Sequence, residues 1–301
     1  LIVNSDNIHF EILSNPEFLA EGIAIKDLFK SDRVLIGGDE TDSGQKAVQA
    51  LVDIYSNWIP KEKILTTNVW SSELAKLASN AMLAQRISSI NSLSALCEKT
   101  GADVDELSRA IGMDHRIGPH FLKVSVGFGG SCFQKDIFNL VYLCKYYGLD
   151  EVAEYWYQVV KINDYQKERF SNKIIDHFGG KLNGKRIAIL GWAFKANTND
   201  SRESPSIYVA GRLLEQKLKV QVYDPKINED QIKADLSTFF KNKGFSTLKL
   251  NNLLLNLEVK ESIQTVVLDV EVLAIITEWD MFKGFEYSKF SKNLKILKIK
   301  D

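Results

Sequence analysis

The densest chemistry in this chain is a single cysteine set straight after three glycines, in Gly127–Phe128–Gly129–Gly130–Ser131–Cys132–Phe133–Gln134–Lys135–Asp136. Glycines at that density let a backbone pass close to a ligand and take angles closed to other residues. A cysteine at the mouth of a helix starting near Phe133 gains from the positive end of that helix and from Lys135. Both favour the thiolate, which is the nucleophile. Asp136 lies one turn further on and can face the same cavity. A glycine turn holding a buried, inert cysteine is the competing reading, because free cysteines are usually structural. Residue chemistry alone leaves the two open. Cys97 and Cys144 lie on apolar helix faces and read as structural.

Lys76 and Asn80 are four residues apart on one helical stretch and so share a face. Around them Ala75, Ala78, Ser79 and Ala81 are small enough to let a ligand approach, although a solvated polar stripe is the commoner fate of such a pair. Glu17 follows Asn15–Pro16, which holds the chain extended or in a turn; on its own it reads as a surface-loop carboxylate. The four histidines show no ligand spacing, and the three cysteines show no paired spacing. Neither a metal site nor a disulfide scaffold is expected, and reduced cytoplasmic thiols fit better. A formal net charge of -1 gives no general attraction to nucleic acid or anionic membrane. No run of about eighteen apolar residues is present to span a bilayer, and LIVNSDNIHF lacks the parts of a secretory signal. The chain begins at Leu1 with a first clear signal, Ser14 to Gly22, that reads as mid-domain. It ends on a strand-like KILKIKD with no helix to cover it. Both ends are therefore expected to be cut.

Three parts must position these residues. Residues 1–68 hold strand-like runs at Arg33–Ile36 and Lys63–Thr66 with a helix from about Asp42 to Tyr55 between them, the remnant of a larger α/β domain. Residues 69–180 are helical. Leu74, Leu77, Ala81, Ala84, Ile87, Ile90 and Leu93 recur at three- and four-residue steps, predicting one long amphipathic helix from Ser71 to Cys97 capped by Ser71 or Ser72. Further helices are expected over about Asp103–Ile111, Lys135–Tyr147 and Glu151–Phe178. Residues 181–301 alternate strand and helix: Lys185–Gly191, Ser206–Lys217, Val220–Pro225 and Val272–Thr277. That order predicts a doubly wound parallel sheet, with Lys241–Glu261 as a variable excursion. The fold class is thus α/β, with a helical centre.

The string GFGGSCFQKD resembles the nucleotide-sugar dehydrogenase family, and within it most resembles the UDP-glucose 6-dehydrogenase branch. Ser14–Gly22 is similar to the family's acidic substrate loop, Trp70–Ala81 to its central helix and Gly191–Trp192–Ala193–Phe194–Lys195 to its second nucleotide loop. Four motifs in the family's order are far more specific than any one. Gln134, where many bacterial members have proline, resembles the animal-type version.

The resemblance implies an NAD-dependent oxidation of UDP-glucose to UDP-glucuronate in two hydride transfers and a hydrolysis. Cys132 would attack the C6 aldehyde and carry a thiohemiacetal, then a thioester. Lys76 would stabilise the oxyanion, Asp136 and Asn80 would orient Lys76 and the attacking water, and Glu17 would act as acid and base. The sugar nucleotide would lie against Glu17, Phe18, Leu19, Ala20 and Glu21, Lys76 and Asn80. The run Phe121, Lys123, Val124, Ser125, Val126, Gly127, Phe128 and Gly129, with Phe194 and Lys195, would complete its site. Arg116 would reach the sugar from a neighbouring subunit of a homo-oligomer, a dimer or a hexamer built as a trimer of dimers. For NAD, the resemblance leaves Glu21, the Cys132 region and Arg202. No glycine-rich dinucleotide fingerprint occurs in the sequence, so the C-terminal domain is expected to take the UDP half, and the chain by itself is expected to be inactive. Two alternatives stay open: a relative acting on GDP-mannose or UDP-N-acetylmannosamine, and a non-catalytic module for nucleotide-sugar binding and dimerisation.

Overall fold

The structure is a computed structural model that describes residues 10–289 and 295–297, and it divides into two compact units, 1–80 and 81–301. The first unit runs α1 (Ala24–Phe29), β1 (Val34–Gly37), α2 (Asp42–Tyr55), β2 (Ile64–Thr67) and the start of α3 (Val69–Thr100). β1 and β2 pair in parallel, Val34 opposite Ile64. A parallel pair needs a crossover, and α2 supplies it, its first turn capped by the Thr41 hydroxyl, which accepts from Gly44 N. Val34, Ile36, Val48 and Ile59 form the small core beneath.

α3 begins two residues before the predicted start. Its cap is Asn68, whose Oδ1 accepts from Ser71 N at 2.8 Å. Neither predicted serine caps it: Ser72 is buried and gives its hydroxyl to the Ser14 carbonyl. The asparagine lies just ahead of β-branched Val69, a residue that the sequence reading left outside the helix.

The second unit continues with the rest of α3, then α4 (Val104–Gly112), α5 (Phe133–Tyr146) and α6 (Asp150–His177). Strands and helices then alternate: β3 (Arg186–Leu190), α7 (Pro205–Glu215), β4 (Lys219–Tyr223), α8 (Glu229–Asn242), α9 (Thr247–Leu254), β5 (Leu257–Val259), α10 (Ile263–Val266), β6 (Val272–Ile275), α11 (Asp280–Lys283) and β7 (Lys295–Leu297). The five strands pair only in parallel, in the order β5-β4-β3-β6-β7. This is the doubly wound sheet that the sequence predicted. Ile187, Ala188, Ile189 and Leu190 are fully buried, as a strand covered on both faces requires. The stretch Lys241–Glu261, read as an excursion, instead contributes α9 and edge strand β5. Leu250 and Leu257 join the main core, but their chain neighbours are Lys249, Asn251, Asn256 and Glu258, so the apolar pattern is faint. The strand predicted at the end holds for Lys295–Leu297; Lys298–Asp301 lie outside the described residues.

Candidate functional site

Cys132 occupies the N-terminal cap position of α5 and is exposed, whereas Cys97 and Cys144 are buried. Burial holds the Cys144 thiol above its ordinary pKa. The Ser131 hydroxyl lies 3.7 Å from Cys132 Sγ. Asp136 is buried and its amide bonds the Cys132 carbonyl at 2.9 Å. Its carboxylate faces the Lys135 ammonium at 3.7 Å, so that cation is paired with an acid.

The approach to Cys132 is an extended run whose alternate side chains enter three separate cores. Val124 packs with Ile90, Cys97 and Val104. Val126 joins the core of the five-stranded sheet. Phe128 packs with Ala81, Ala84 and Ile137. Of the predicted sugar-nucleotide contacts, these three therefore offer a ligand only their backbone. Lys123 points outward and forms an ion pair with Glu278, and Phe121 is exposed at a positive φ of 60°.

Sequence reasoning missed the residues that hold this run, which are buried amides. Asn91 Oδ1 accepts from Ser125 N at 2.9 Å, and Gln166 donates to the Ser125 carbonyl at 2.8 Å. Asn163 bonds both the N–H and the carbonyl of Phe128, at 2.8 and 3.1 Å. All three amide residues are fully buried, where an unpaired amide would be strongly unfavourable. A polar residue on an apolar helical face was the available signal. Arg86 was also missed: its guanidinium donates to the carbonyls of Ile117, Gly118 and His120 at 2.8–2.9 Å, fastening the loop that carries Arg116.

Two of the three glycines, Gly129 and Gly130, meet the loops that carry Phe194 and Glu203. A Cβ on Gly129 would lie 2.6 Å from the Glu203 carbonyl, and one on Gly130 would lie 3.0 Å from the Phe194 ring. Gly130 N also donates to the Arg202 carbonyl at 2.8 Å. Phe194 thus sits directly against the cysteine loop, with the Lys195 ammonium 5.5 Å from its ring. The loop bearing Phe194 leaves β3 at Gly191, where φ is +93°. β3 and β6 flank the point where the strand order reverses, the usual ligand crevice of such sheets.

Asp224, at the end of β4, organises that loop. Its Oδ2 accepts from Trp192 N at 2.6 Å, Ala193 N at 3.0 Å and Trp279 Nε1 at 3.1 Å. Its Oδ1 accepts from Lys226 N and Ile227 N. Arg202 is exposed and grips Asp200 with two nitrogens. Arg116 likewise grips Asp114, at 2.5 and 3.2 Å, and holds that carboxyl below its ordinary pKa.

In the first unit, Glu17 and Lys76 meet. Lys76 Nζ donates to the Glu17 carboxylate at 3.0 Å and to its carbonyl at 2.5 Å. The other carboxylate oxygen accepts from Leu19 N at 2.7 Å. Phe18 lies between two cations, with the Arg33 guanidinium 3.8 Å and Lys76 Nζ 5.5 Å from its ring. Arg33 also bonds the Ser79 hydroxyl. Ala20 N bonds Asp27, Glu21 is exposed and Asn80 is half-buried. Among the described residues, no helix is long and apolar enough to cross a membrane.

Three models of the UDP-glucose/GDP-mannose dehydrogenase family match the chain: its NAD binding domain over residues 2–59, its central domain over 70–165 and its UDP binding domain over 188–301. The chain is 55% identical over 301 residues to UDP-glucose 6-dehydrogenase 1 of Glycine max, covering 97% of this chain and 62% of that protein. It is 57% identical over 288 residues to the UDP-glucose 6-dehydrogenase of Mus musculus, covering 96% and 57%. The chain thus spans about three fifths of the length of these relatives. Among solved structures it is similar to a UDP-glucose dehydrogenase from the archaeon Pyrobaculum islandicum, with a TM-score of 0.80 and 32% identity over 96% of this chain and 63% of that one. A UDP-D-ManNAc dehydrogenase from Pyrococcus horikoshii, at 22% identity and a TM-score of 0.74 over 97% of this chain and 60% of that one, shares the fold.

Proposed function

The chain belongs to the UDP-glucose/GDP-mannose dehydrogenase family, and from that premise we propose that it serves the NAD-dependent oxidation of UDP-glucose to UDP-glucuronate through a covalent intermediate on Cys132. The observation that carries this reading is the exposed thiol at the cap of α5, held at the end of a glycine run while both other cysteines are buried. UDP-glucose is the substrate borne by the names of the relatives at 55–57% identity.

The residues divide the work by chemistry. An alcohol becomes an acid by losing two hydrides and gaining the oxygen of water. After the first loss, the Cys132 sulfur adds to the C6 aldehyde and gives a thiohemiacetal. The second loss leaves a thioester. Lys76, an ammonium already held against a carboxylate, donates to the oxygen that gains charge at each addition. Glu17 takes the proton of the attacking water as the thioester opens and the thiol leaves. Asn80 and Asp136 orient the water and the groups around it. Phe194, Lys195 and the backbone of residues 123–129 hold the nucleotide sugar.

NAD, when bound, supplies the hydride acceptor. Glu21, the backbone at Cys132 and Arg202 are the residues here that would hold it, the Arg202 fork suiting a diphosphate. The five-stranded domain fits a dinucleotide poorly. Gly191 stands there without a second or third glycine, and Asp224, placed where a ribose-binding acid would stand, has five protein donors on its two oxygens. This supports giving that domain to UDP, within a three-part division at residues 1–68, 69–180 and 181–301.

Titration calorimetry on the 301-residue chain tests the assignment. UDP-glucose should bind, and NAD should bind much more weakly. Tight NAD binding with none of UDP-glucose would overturn it. In a chain that also carries a dinucleotide loop, NADH should form with UDP-glucose in preference to GDP-mannose or UDP-N-acetylmannosamine.

A further inference from the structure

Lys167 is a buried lysine that the proposed chemistry does not use. It projects from α6 at 2% exposure, a place where a lysine is held only if it is partnered. Its ammonium lies 3.1 Å from the Asp164 carboxylate and 3.7 Å from the centroid of the Tyr208 ring. Burial draws its pKa below the ordinary lysine value, while Asp164 and Glu203 pull the other way. Tyr208 in turn donates its hydroxyl to the Glu203 carboxylate. Glu203 has a positive φ of 53°, a conformation that costs a non-glycine residue about 1 kcal/mol or more unless its surroundings hold it.

Both ends of this short chain of contacts touch the glycine run. A Cβ on Gly127 would lie 3.4 Å from the Lys167 stem and 2.7 Å from Asn163 Oδ1. At the other end, Glu203 offers its carbonyl to the face of Gly129, and its neighbour Arg202 accepts the Gly130 N–H. Lys167 therefore supports the start of the run and Glu203 its end, and Tyr208 joins the two supports.

We propose that Lys167, Tyr208 and Glu203 are positioning residues that fix the Gly127–Gly130 run and thereby the point at which Cys132 presents its sulfur. The significance for catalysis rests on Cys132 being the nucleophile; the positional claim is read on the thiol itself. Lys167 acts as an internal brace whose charge is anchored over an aromatic face and whose stem bears on the loop. Glycine at 127 and 129 lets the backbone seat directly on these supports.

The test is the rate of iodoacetamide alkylation at each cysteine, followed by peptide mapping, in the folded chain and in Tyr208→Phe, Lys167→Met and Lys167→Arg variants. Tyr208→Phe keeps the ring over the ammonium and loses only the bond to Glu203, so it decides the matter if Lys167→Met does not fold. Tyr208→Phe and Lys167→Met should shift the Cys132 rate by about threefold or more, because thiol reactivity follows its local surroundings. Lys167→Arg, which keeps a cation, should return the rate to near that of the unsubstituted chain. Cys97 and Cys144 should stay unlabelled throughout. The proposal is overturned if the Cys132 rate does not move, if arginine fails to restore it, or if the buried cysteines become labelled in parallel, which is general loosening. Failure of the functional reading looks different: UDP-glucose would not protect Cys132 in the unsubstituted chain, whatever the variants do.

Discussion

Gly130 and Phe194 leave no room for a side chain between them: the glycine has φ +83°, and a Cβ there would meet the aromatic ring at 3.0 Å. A residue of the loop leaving β3 thus fixes the loop that ends in Cys132. Gly130→Ala combines a disfavoured backbone angle with a forced ring shift, so it should destabilise by about 1–3 kcal/mol. In a chain that also carries a dinucleotide loop, turnover should fall more than stability implies, by about 100-fold, because a misplacement near 1 Å is enough for that. Melting curves and NADH formation, measured on the same samples, check both halves.

The Glu17–Lys76 pair makes a different demand. Glu17 is more than half exposed, and such pairs contribute about 0.2–1 kcal/mol to stability. Lys76→Met should therefore leave the melting temperature nearly unchanged. If Lys76 stabilises the oxyanion, kcat of a chain that also carries a dinucleotide loop should drop by about 100-fold or more. Equal losses of stability and turnover would show that Lys76 only holds the loop.

In a chain that also carries a dinucleotide loop, Cys132→Ala should abolish acid formation, while Cys97→Ala and Cys144→Ala should leave it largely intact. The buried pair sits on helix faces inside two separate cores, and each truncation should lower stability by about 1 kcal/mol. Product analysis by chromatography separates acid from aldehyde. Full acid formation in Cys132→Ala would rule out the covalent intermediate.

Arg116 is proposed to act across a subunit boundary. In this chain it is exposed and paired with Asp114, while Leu93 and Leu96 of α3 are also exposed, leaving an apolar helix face for a partner chain. In full-length protein, homo-oligomers of Cys132→Ala and of Arg116→Ala should each be nearly inactive. After subunit exchange, one site of a mixed dimer would regain both groups, and activity should recover in part. No recovery after verified exchange excludes the shared site.

Glu98 is a partly buried carboxyl through which acid should weaken the fold. Burial raises the Glu98 carboxyl, but bonds and charge from Arg169 and Lys173 outweigh it, and the net pKa is lowered. A depressed carboxyl contributes stability that is complete above the ordinary glutamate range and is lost as pH falls through the lowered value. Glu98→Gln should therefore narrow the gap between melting temperatures at neutral and acid pH. A gap of unchanged width would show that the Glu98 pairs do not contribute.

Sequence patterns revealed what periodicity and glycine can encode. The parallel sheet, the long central helix and the cysteine at a helix start follow from apolar spacing and from glycines at positions that other residues fill only with strain. The pattern could not reveal partners joined by long separations. Asn163 clamping Phe128, Arg86 collecting three carbonyls and Asp224 holding the Gly191 turn look, in the sequence, like ordinary polar residues. Edge strand β5 was missed because a strand with one neighbour needs little apolar sequence. The helix start at Val69 was missed because Asn68 and serine cap about equally well in sequence, and only the fold shows that Asn68 bonds Ser71 N while Ser72 is spent on Ser14.

β3 is the first strand of its sheet in the chain and also the middle one, with β4 then β5 added on one side and β6 then β7 on the other. Each later strand docks on an edge already formed, so the sheet can assemble outward in the order of synthesis without threading one strand between two others. Protection should fall away from the centre in the same order. The amides of Ile187 to Leu190 should be the last in the domain to trade hydrogen for deuterium, and those of the edge strands the first.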